Sequence, residues 1–317
     1  MNPINRQLAS SVALALLLVP LATHAADAPP PAEEVISADA GTAKTFERSY
    51  SFDGNGRVEI SNVRGSVTVT GSSENRIALS GSVGEGSRLM IEGDARHIEL
   101  NVGGQHGKHG PPSDTSLVLS VPHAVALKLE LVSADSKVAG IDGKSLEIEN
   151  VSGTVQATSA PHSVEIDSVS GGVKFDAARA GAIERAHMQT VSGDIVVGGV
   201  DGRVKLETVS GKIAYTAPSV TEFDAESVSG TIDATAAPAK SARLHAETMS
   251  GTVKMHVPAA LSARVSATTF SGSIKSDFGS VKRAEYGPGE SLDARVGDGD
   301  ARIETQSFSG NIQILKQ

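Results

Sequence analysis

The hydrophobic pattern of this chain repeats with a period of roughly 20 residues, a length typical of solenoids. A tripeptide of Val, Met or Phe followed by Ser-Gly occurs eight times. Its glycines are Gly153, Gly171, Gly193, Gly211, Gly230, Gly251, Gly272 and Gly310. Successive spacings between these glycines are 18, 22, 18, 19, 21, 21 and 38 residues. The last interval is about two periods, so we expect one degenerate or inserted unit within it.

Within each unit, apolar and polar residues alternate with the period of two that marks a β-strand. Positions −7, −5, −2 and +2, counted from the glycine, are mostly apolar, and position +2 is β-branched in all eight units. The phase slips by one residue between −5 and −2. A slip exchanges the two faces of a strand, so the chain is expected to turn a corner there, with positions −2, 0 and +2 facing inward.

One such unit cannot enclose a core alone, but stacking units in register buries the apolar positions in ladders. We therefore predict an all-β fold, a parallel β-solenoid of roughly 20-residue coils. The glycine is explained if the corner leaves no room for a side chain or requires a positive φ. A β-sandwich of hairpins is the competing interpretation; it is disfavoured because the units lack two-residue hairpin turns.

The pattern weakens towards the N-terminus. Val132-Ser133-Ala134 is a degenerate copy of the tripeptide, and residues 63–69 keep its skeleton with Arg64 in place of Ser. We interpret residues 46–131 as a degenerate β-repeat and cap region, and residues 132–317 as the regular solenoid. Its last strand, residues 311–315, is expected to be an exposed edge through which the solenoid end could self-associate.

The first 45 residues predict export. Residues 1–25 have one basic residue, an 11-residue apolar run and small residues before Ala25, as a secretory signal peptide does. Residues 26–45 are rich in Pro, Ala and Glu and are interpreted as a disordered linker. No later segment is long and apolar enough to cross a membrane, so the expected location is the periplasm or the outer cell surface.

Composition narrows the function further. The 317 residues include no Cys and no Trp, 3% are aromatic, and the net charge is −9. The absence of Cys excludes disulfides, thiol nucleophiles and cysteine-zinc sites. Few aromatic residues argue against stacking platforms, and the negative charge argues against a nucleic-acid partner.

The Val-Ser-Gly-x-Ile/Val units, residues 60–69 and Val121-Pro122 resemble the bacterial putative-adhesin, β-strand-repeat family of cell-envelope proteins. The resemblance covers roughly residues 46–317. It implies a β-solenoid at the cell envelope, and the family name suggests adhesion. It implies no catalytic residues, because the general function of the family is unassigned.

Position −4 carries the most suggestive polar pattern, since five of its eight residues are acidic: Glu149, Asp167, Glu207, Glu226 and Glu247. Stacked units would bring these carboxylates near one another as an acidic stripe. The stripe could hold cations or a basic partner, or it could be a solvated edge that discourages wrong pairing. A second candidate, His106 with His109, lacks an evident third metal ligand besides Asp114.

No nucleophile elbow, phosphate-binding loop or metalloprotease motif is present, so we predict no catalytic, cofactor-binding or metal residues and no cofactor. The predicted function is a non-enzymatic, exported binding, adhesin-like or scaffolding module, with a cell-envelope protein or glycan as partner. A periplasmic envelope-stress or sensing component is one alternative. A carbohydrate-active β-helix enzyme is the other, although the acids repeat regularly instead of clustering uniquely.

Overall fold

The computed structural model describes residues 28–38, 42–104, 113–285 and 287–317. These residues form strands and no helix, so no helix in this part of the chain could span a membrane. The all-β prediction is confirmed. The predicted signal peptide, residues 1–25, and the histidines of the 106–109 segment lie outside the described residues.

Eight strands precede the regular repeats: β1 Glu34–Ser37, β2 Lys44–Ser51, β3 Arg57–Ser72, β4 Arg76–Val83, β5 Ser87–Gly93, β6 His97–Gly104, β7 Thr115–Pro122 and β8 Ala126–Ala139. The next ten are β9 Ser145–Ser152, β10 Val155–Ser159, β11 Ser163–Ser168, β12 Val173–Ala177, β13 Arg185–Thr190, β14 Ile195–Gly198, β15 Arg203–Thr208, β16 Lys212–Ser227, β17 Thr231–Thr248 and β18 Thr252–Val257. The last six are β19 Ala263–Thr269, β20 Ile274–Ser276, β21 Lys282–Arg283, β22 Glu290–Val296, β23 Ala301–Ser307 and β24 Asn311–Lys316.

Each repeat unit contains a first strand before the tripeptide and a second strand after it. First strands pair with first strands, as β9 with β11 and β11 with β13, and second strands pair likewise, as β10 with β12 and β12 with β14. All these pairings are parallel and in register. The long strands β16 and β17 each supply the second strand of one unit and the first strand of the next. The predicted parallel stacking of units is therefore confirmed.

The core lies between the two rows of strands. In the unit of Gly211, Val204, Leu206, Ile213 and Tyr215 are all buried. Ile213 lies between Ile195 and Ile232 of the neighbouring units, so identical side chains stack in a ladder. Burial of these branched side chains in every unit supplies the main favourable free energy of the fold.

The tripeptide glycines are explained by close packing of the corner. A Cβ atom at Gly211 would lie 2.2 Å from the carbonyl oxygen of Gly193, and one at Gly230 would lie 1.9 Å from that of Gly211. Both distances are far below van der Waals contact. Only Gly153 among the eight also has a positive φ, of 126°. Lack of space, the first of the two predicted reasons, therefore accounts for most of these glycines.

Both ends of the stack invert the chain order. At the N-terminal end, β3 lies between β8 and the later pair β6 and β7. Antiparallel β4 and β2 extend beyond β7, and antiparallel β5 and β1 extend beyond β6. At the other end, β23 inserts between β17 and β19, and β24 inserts between β18 and β20.

This inversion corrects the prediction for the last strand. Residues 311–315 belong to β24, which is hydrogen-bonded on both sides and is not an exposed edge. The long interval between Gly272 and Gly310 is occupied by the antiparallel excursion of β21 and β22, and β22 covers β19. The chain thus passes first through the outer unit, β19 and β20, and then returns to place β23 and β24 between that unit and β17 and β18.

The predicted disordered linker, residues 26–45, also differs from the structure in part. Residues 34–37 form β1, which pairs antiparallel with β5, and Ile36 is buried. The Glu34 carboxylate accepts hydrogen bonds from Arg48 at 2.6 Å and from the Tyr50 hydroxyl at 2.8 Å. The buried Ile36 and Ala38 side chains, the anchored carboxylate and the pairing with β5 hold this segment against an existing strand edge.

Candidate functional site

The corner between the two strands of each unit consists of the tripeptide itself. Positions −7, −5 and −3 of the first strand are buried, and so are positions +2 and +4 of the second. The corner backbone forms its own hydrogen-bond ladder: the Val191 amide donates to the Ser168 carbonyl at 3.2 Å, and the Ser192 amide donates to the Val169 carbonyl at 2.9 Å. The corner side chains at −2 and −1 are left on the outside.

The structure therefore corrects the prediction that position −2 faces inward. The first strand keeps its alternation beyond −5 as far as −3, and the phase changes across the three corner residues that follow. The −2 side chains are 46–60% exposed instead of buried. We call them the apolar column: in stacking order Val132, Val151, Val169, Val191, Val209, Val228, Met249, Phe308 and Phe270.

The residues at position −3 are buried below this column. Thr190, Thr208 and Ser227 are each no more than 6% exposed, and their hydroxyl groups lie close to the glycine of the same unit. The hydroxyl-bearing positions thus form an internal column beneath the surface, and only the Ser residues at −1 remain outside. The small −3 side chains let the corner close tightly.

A groove of about 950 Å³ follows the corner across eight successive units. Its walls are the −4 side chains on one side and the −2 side chains on the other, and its floor is formed by position −3. It extends from the unit of Val63 to that of Met249. Beyond Met249 the apolar column continues as two stacked rings, Phe308 and Phe270, with centroids 5.1 Å apart.

The acidic residues of position −4 lie in one line along the groove, with Gln189 between Asp167 and Glu207. Glu149 pairs in register with Asp167, and Glu207 pairs with Glu226, which pairs in turn with Glu247. The same column includes Glu130, opposite Glu149, a residue that the sequence pattern missed because its tripeptide is degenerate. We call these six residues the acidic column: Glu130, Glu149, Asp167, Glu207, Glu226 and Glu247.

Position −6, behind the acidic column, is basic or histidine in four units (Lys128, His187, Lys205 and His245) and acidic in three (Glu147, Glu165 and Asp224). The Lys128 ammonium group is 2.8 Å from Glu130 and 3.1 Å from Glu149. These hydrogen bonds raise the pKa of Lys128, and the Lys128 hydrogen bond lowers the pKa of Glu130. Burial acts to raise the pKa of Glu207, but hydrogen bonds from His187 and Lys205 outweigh it and leave that pKa below its usual value. Glu130 and Glu207 therefore remain ionised near neutral pH.

The residues lining the groove include six carboxylates and no Lys, Arg or His. Within the described ranges, no three His, Asp or Glu side chains converge as a metal site requires. The carboxylates follow the groove in a line, which is an arrangement suited to an elongated positive partner instead of one cation. The groove offers apolar contact along one wall and negative charge along the other.

Residues 182–315 match the Toastrack DUF4097 family. The Toastrack match includes six of the eight tripeptides, from Gly193 to Gly310. It confirms the resemblance, predicted from the Val-Ser-Gly units, to a family of unassigned function. No curated protein matches the chain.

Several solved structures are similar to the chain. A putative cell adhesion protein from Clostridium sporogenes is 14% identical, with 91% of this chain and 100% of that chain covered and a TM-score of 0.27. A putative adhesin from Bacteroides fragilis is 12% identical, with coverage of 88% and 100% and a TM-score of 0.42. A putative lipid binding protein from Parabacteroides distasonis is 12% identical, with the same coverage and a TM-score of 0.47.

Proposed function

We propose that this chain is an exported, non-enzymatic β-solenoid that binds an elongated component of the bacterial cell envelope along its groove. Adhesin-like attachment or scaffolding, in the periplasm or on the outer surface, is the role that this binding would serve. The proposal concerns residues 46–317, with the regular units of residues 132–317 supplying most of the binding surface.

The apolar column is the observation that carries this proposal. Single exposed apolar side chains are common on protein surfaces, but a continuous line of nine is not, and such a patch marks an interaction surface. Burial of the glycines and of position +2 explains the fold without any apolar residue at −2. A polar residue there would fold equally well, so the repeated Val, Met and Phe indicate a surface that contacts something.

The shape of the groove favours an elongated ligand over a small molecule. It crosses eight units, and six of them combine a carboxylate with an exposed Val or Met, so it offers many similar contacts instead of one enclosed pocket. Small-molecule sites are usually concave pockets with a few uniquely placed polar groups. A repeated open surface gains affinity by adding similar contacts along its length.

Cosedimentation with envelope fragments tests the proposal. These fragments are sedimented membranes with attached peptidoglycan. The groove variant is Val169→Ser, Val191→Ser and Val209→Ser. The matched control is Val35→Ser, Val118→Ser and Val196→Ser, which removes three valines that are 40–48% exposed on other surfaces. We expect the groove variant to lose at least about tenfold in affinity and the control to bind as the unchanged protein does. Equal binding by all three proteins, or no binding by the unchanged protein, would contradict the proposal.

A further inference from the structure

The groove also indicates what kind of partner it fits. We propose that it binds a cationic amphipathic α-helix, laid lengthwise along the stacked units, with apolar residues against the apolar column and Lys or Arg against the acidic column. This inference rests on the proposed function, and it adds the chemical class and the conformation of the ligand.

Charge complementarity selects a cationic partner. Six carboxylates line one wall, and the groove-lining residues include no basic group. The basic residues of position −6, such as Lys128 and Lys205, contact the acidic column from behind and only partly offset its charge. Within the described residues, Glu226 has no salt-bridge partner. An anionic ligand would meet like charges at nearly every unit, whereas a cationic one would be attracted along the whole groove.

The apolar wall selects a partner with apolar side chains at regular intervals. Six of the eight units present one Val or Met next to an acidic residue, and the other two have Ser61 and Gln189 in its place, so contacts of the two kinds recur together along most of the groove. A uniformly charged chain would leave the apolar column exposed to water and would gain only weak, screened ion pairs. A ligand that covers both walls must carry an apolar stripe flanked by positive charge.

The spacing of the units selects a helix over an extended strand. Parallel neighbouring strands lie about 4.8 Å apart, which is therefore the repeat along the groove. An α-helix presents one face every turn of about 5.4 Å, whereas same-side residues of an extended strand recur every 6.6–7 Å or so. A helix stays close to register over several units, and side-chain flexibility absorbs the remaining mismatch.

The length of the groove sets the length of the helix. Eight units are separated by seven steps of about 4.8 Å, or about 34 Å in total. At a rise of about 1.5 Å per residue, a helix of about 22 residues would cover this distance. The Met249, Phe308 and Phe270 end has larger apolar side chains and neutral neighbours at position −4, Gln306 and Thr268. We expect the more apolar, less charged end of the helix to lie there.

Synthetic peptides of 22 residues test this inference with the full chain by fluorescence anisotropy. The probe is a labelled Leu/Lys peptide with an amphipathic helical pattern. Three comparison peptides are its scrambled sequence, its Lys-to-Glu counterpart, and a peptide with strictly alternating Leu and Lys, which favours a strand. We expect the helical cationic peptide to bind at least about tenfold more tightly than each of the others.

A pair of charge variants then locates the peptide. Glu226→Gln with Glu247→Gln removes two neighbouring carboxylates of the groove, and Glu184→Gln with Glu222→Gln removes two carboxylates outside it. We expect about a fivefold or greater loss of peptide affinity for the first pair and less than a twofold loss for the second. Equal losses would overturn the assignment of the acidic column as the cationic contact.

Other results would overturn the inference and leave the proposed function unaffected. Tighter binding of the alternating peptide would exclude the helix, and equal binding of the Lys-to-Glu peptide would exclude a cationic partner. If no peptide binds but envelope fragments still lose affinity for the valine variant, the groove is a binding surface with a different ligand. If both assays fail, the proposed function fails with the inference.

Discussion

The glycine column and the apolar column occupy neighbouring positions of the same tripeptide, yet different causes determine their residues. At the glycine position, the carbonyl oxygen of the adjacent unit fills the space that a Cβ atom would need. At position −2, the side chain projects outward and is about half exposed, so the fold places no comparable demand on it. A repeat motif can thus combine a residue required for packing with one that indicates function.

The largest effect on stability is expected for Ile213→Asp, which places a charge at a fully buried position between Ile195 and Ile232. A buried carboxylate without a partner is strongly unfavourable, and we expect a loss of more than about 4 kcal/mol in the free energy of unfolding. Urea unfolding followed by far-ultraviolet circular dichroism measures it. An unchanged midpoint would show that position +2 does not face the core.

Gly211→Ala tests the corner directly. Its Cβ atom would lie 2.2 Å from the Gly193 carbonyl oxygen, so the backbone of two units must shift. We expect a loss of about 1–3 kcal/mol in the same unfolding measurement. The matched control is Gly172→Ala, one residue beyond a tripeptide glycine, where the nearest atom to the new Cβ is 3.9 Å away. A loss as large in the control as in Gly211→Ala would refute the packing explanation.

Val209→Ser tests the other column. The side chain is 46% exposed at the outer corner, so we expect the free energy of unfolding to change by no more than about 0.5 kcal/mol. The comparison is Val204→Ser, at a buried position of β15 in the same unit. It should lower the free energy of unfolding several times more. Similar losses for both would mean that Val209 packs against the fold as a core residue does.

The smallest expected effect is that of Glu226→Gln. Its carboxylate lies between Glu207 and Glu247 in register, and removing one of three like charges relieves repulsion. We expect a change within about 0.5 kcal/mol, in the stabilising direction at low salt and vanishing at high salt. Thermal unfolding at two salt concentrations measures the change. A marked destabilisation would indicate that this carboxylate holds part of the structure together.

Much of the fold could be predicted from the sequence because the same local pattern recurs eight times. In-register stacking follows from β-branched residues at +2 and from glycine at the corner, and both are visible without a structure. The inverted order at the ends could not be predicted. It depends on which strand edge the chain returns to after β22, and β20 and β24 carry equivalent sequence patterns.

The candidate site was predictable only in part. The acidic residues are visible at a constant spacing, and the structure brings Glu149, Asp167, Glu207, Glu226 and Glu247 into one line. The exposure of position −2 could not be predicted, because a Val that continues an alternating apolar pattern is interpreted as a core residue. The available signal is the odd spacing between two buried positions, −3 and +2, which leaves the intervening corner residues outside.

The most direct test of the central claim uses single cysteines, which this cysteine-free chain permits without background. Val209→Cys is placed on the apolar column, Ile213→Cys in the core, and Val196→Cys on an exposed surface outside the groove. Maleimide labelling is measured with and without envelope fragments. The account predicts fast labelling of Val209→Cys and Val196→Cys, slow labelling of Ile213→Cys, and protection by envelope fragments at Val209→Cys alone. Slow labelling of Val209→Cys in the free protein, or equal rates for it with and without fragments, would contradict the account.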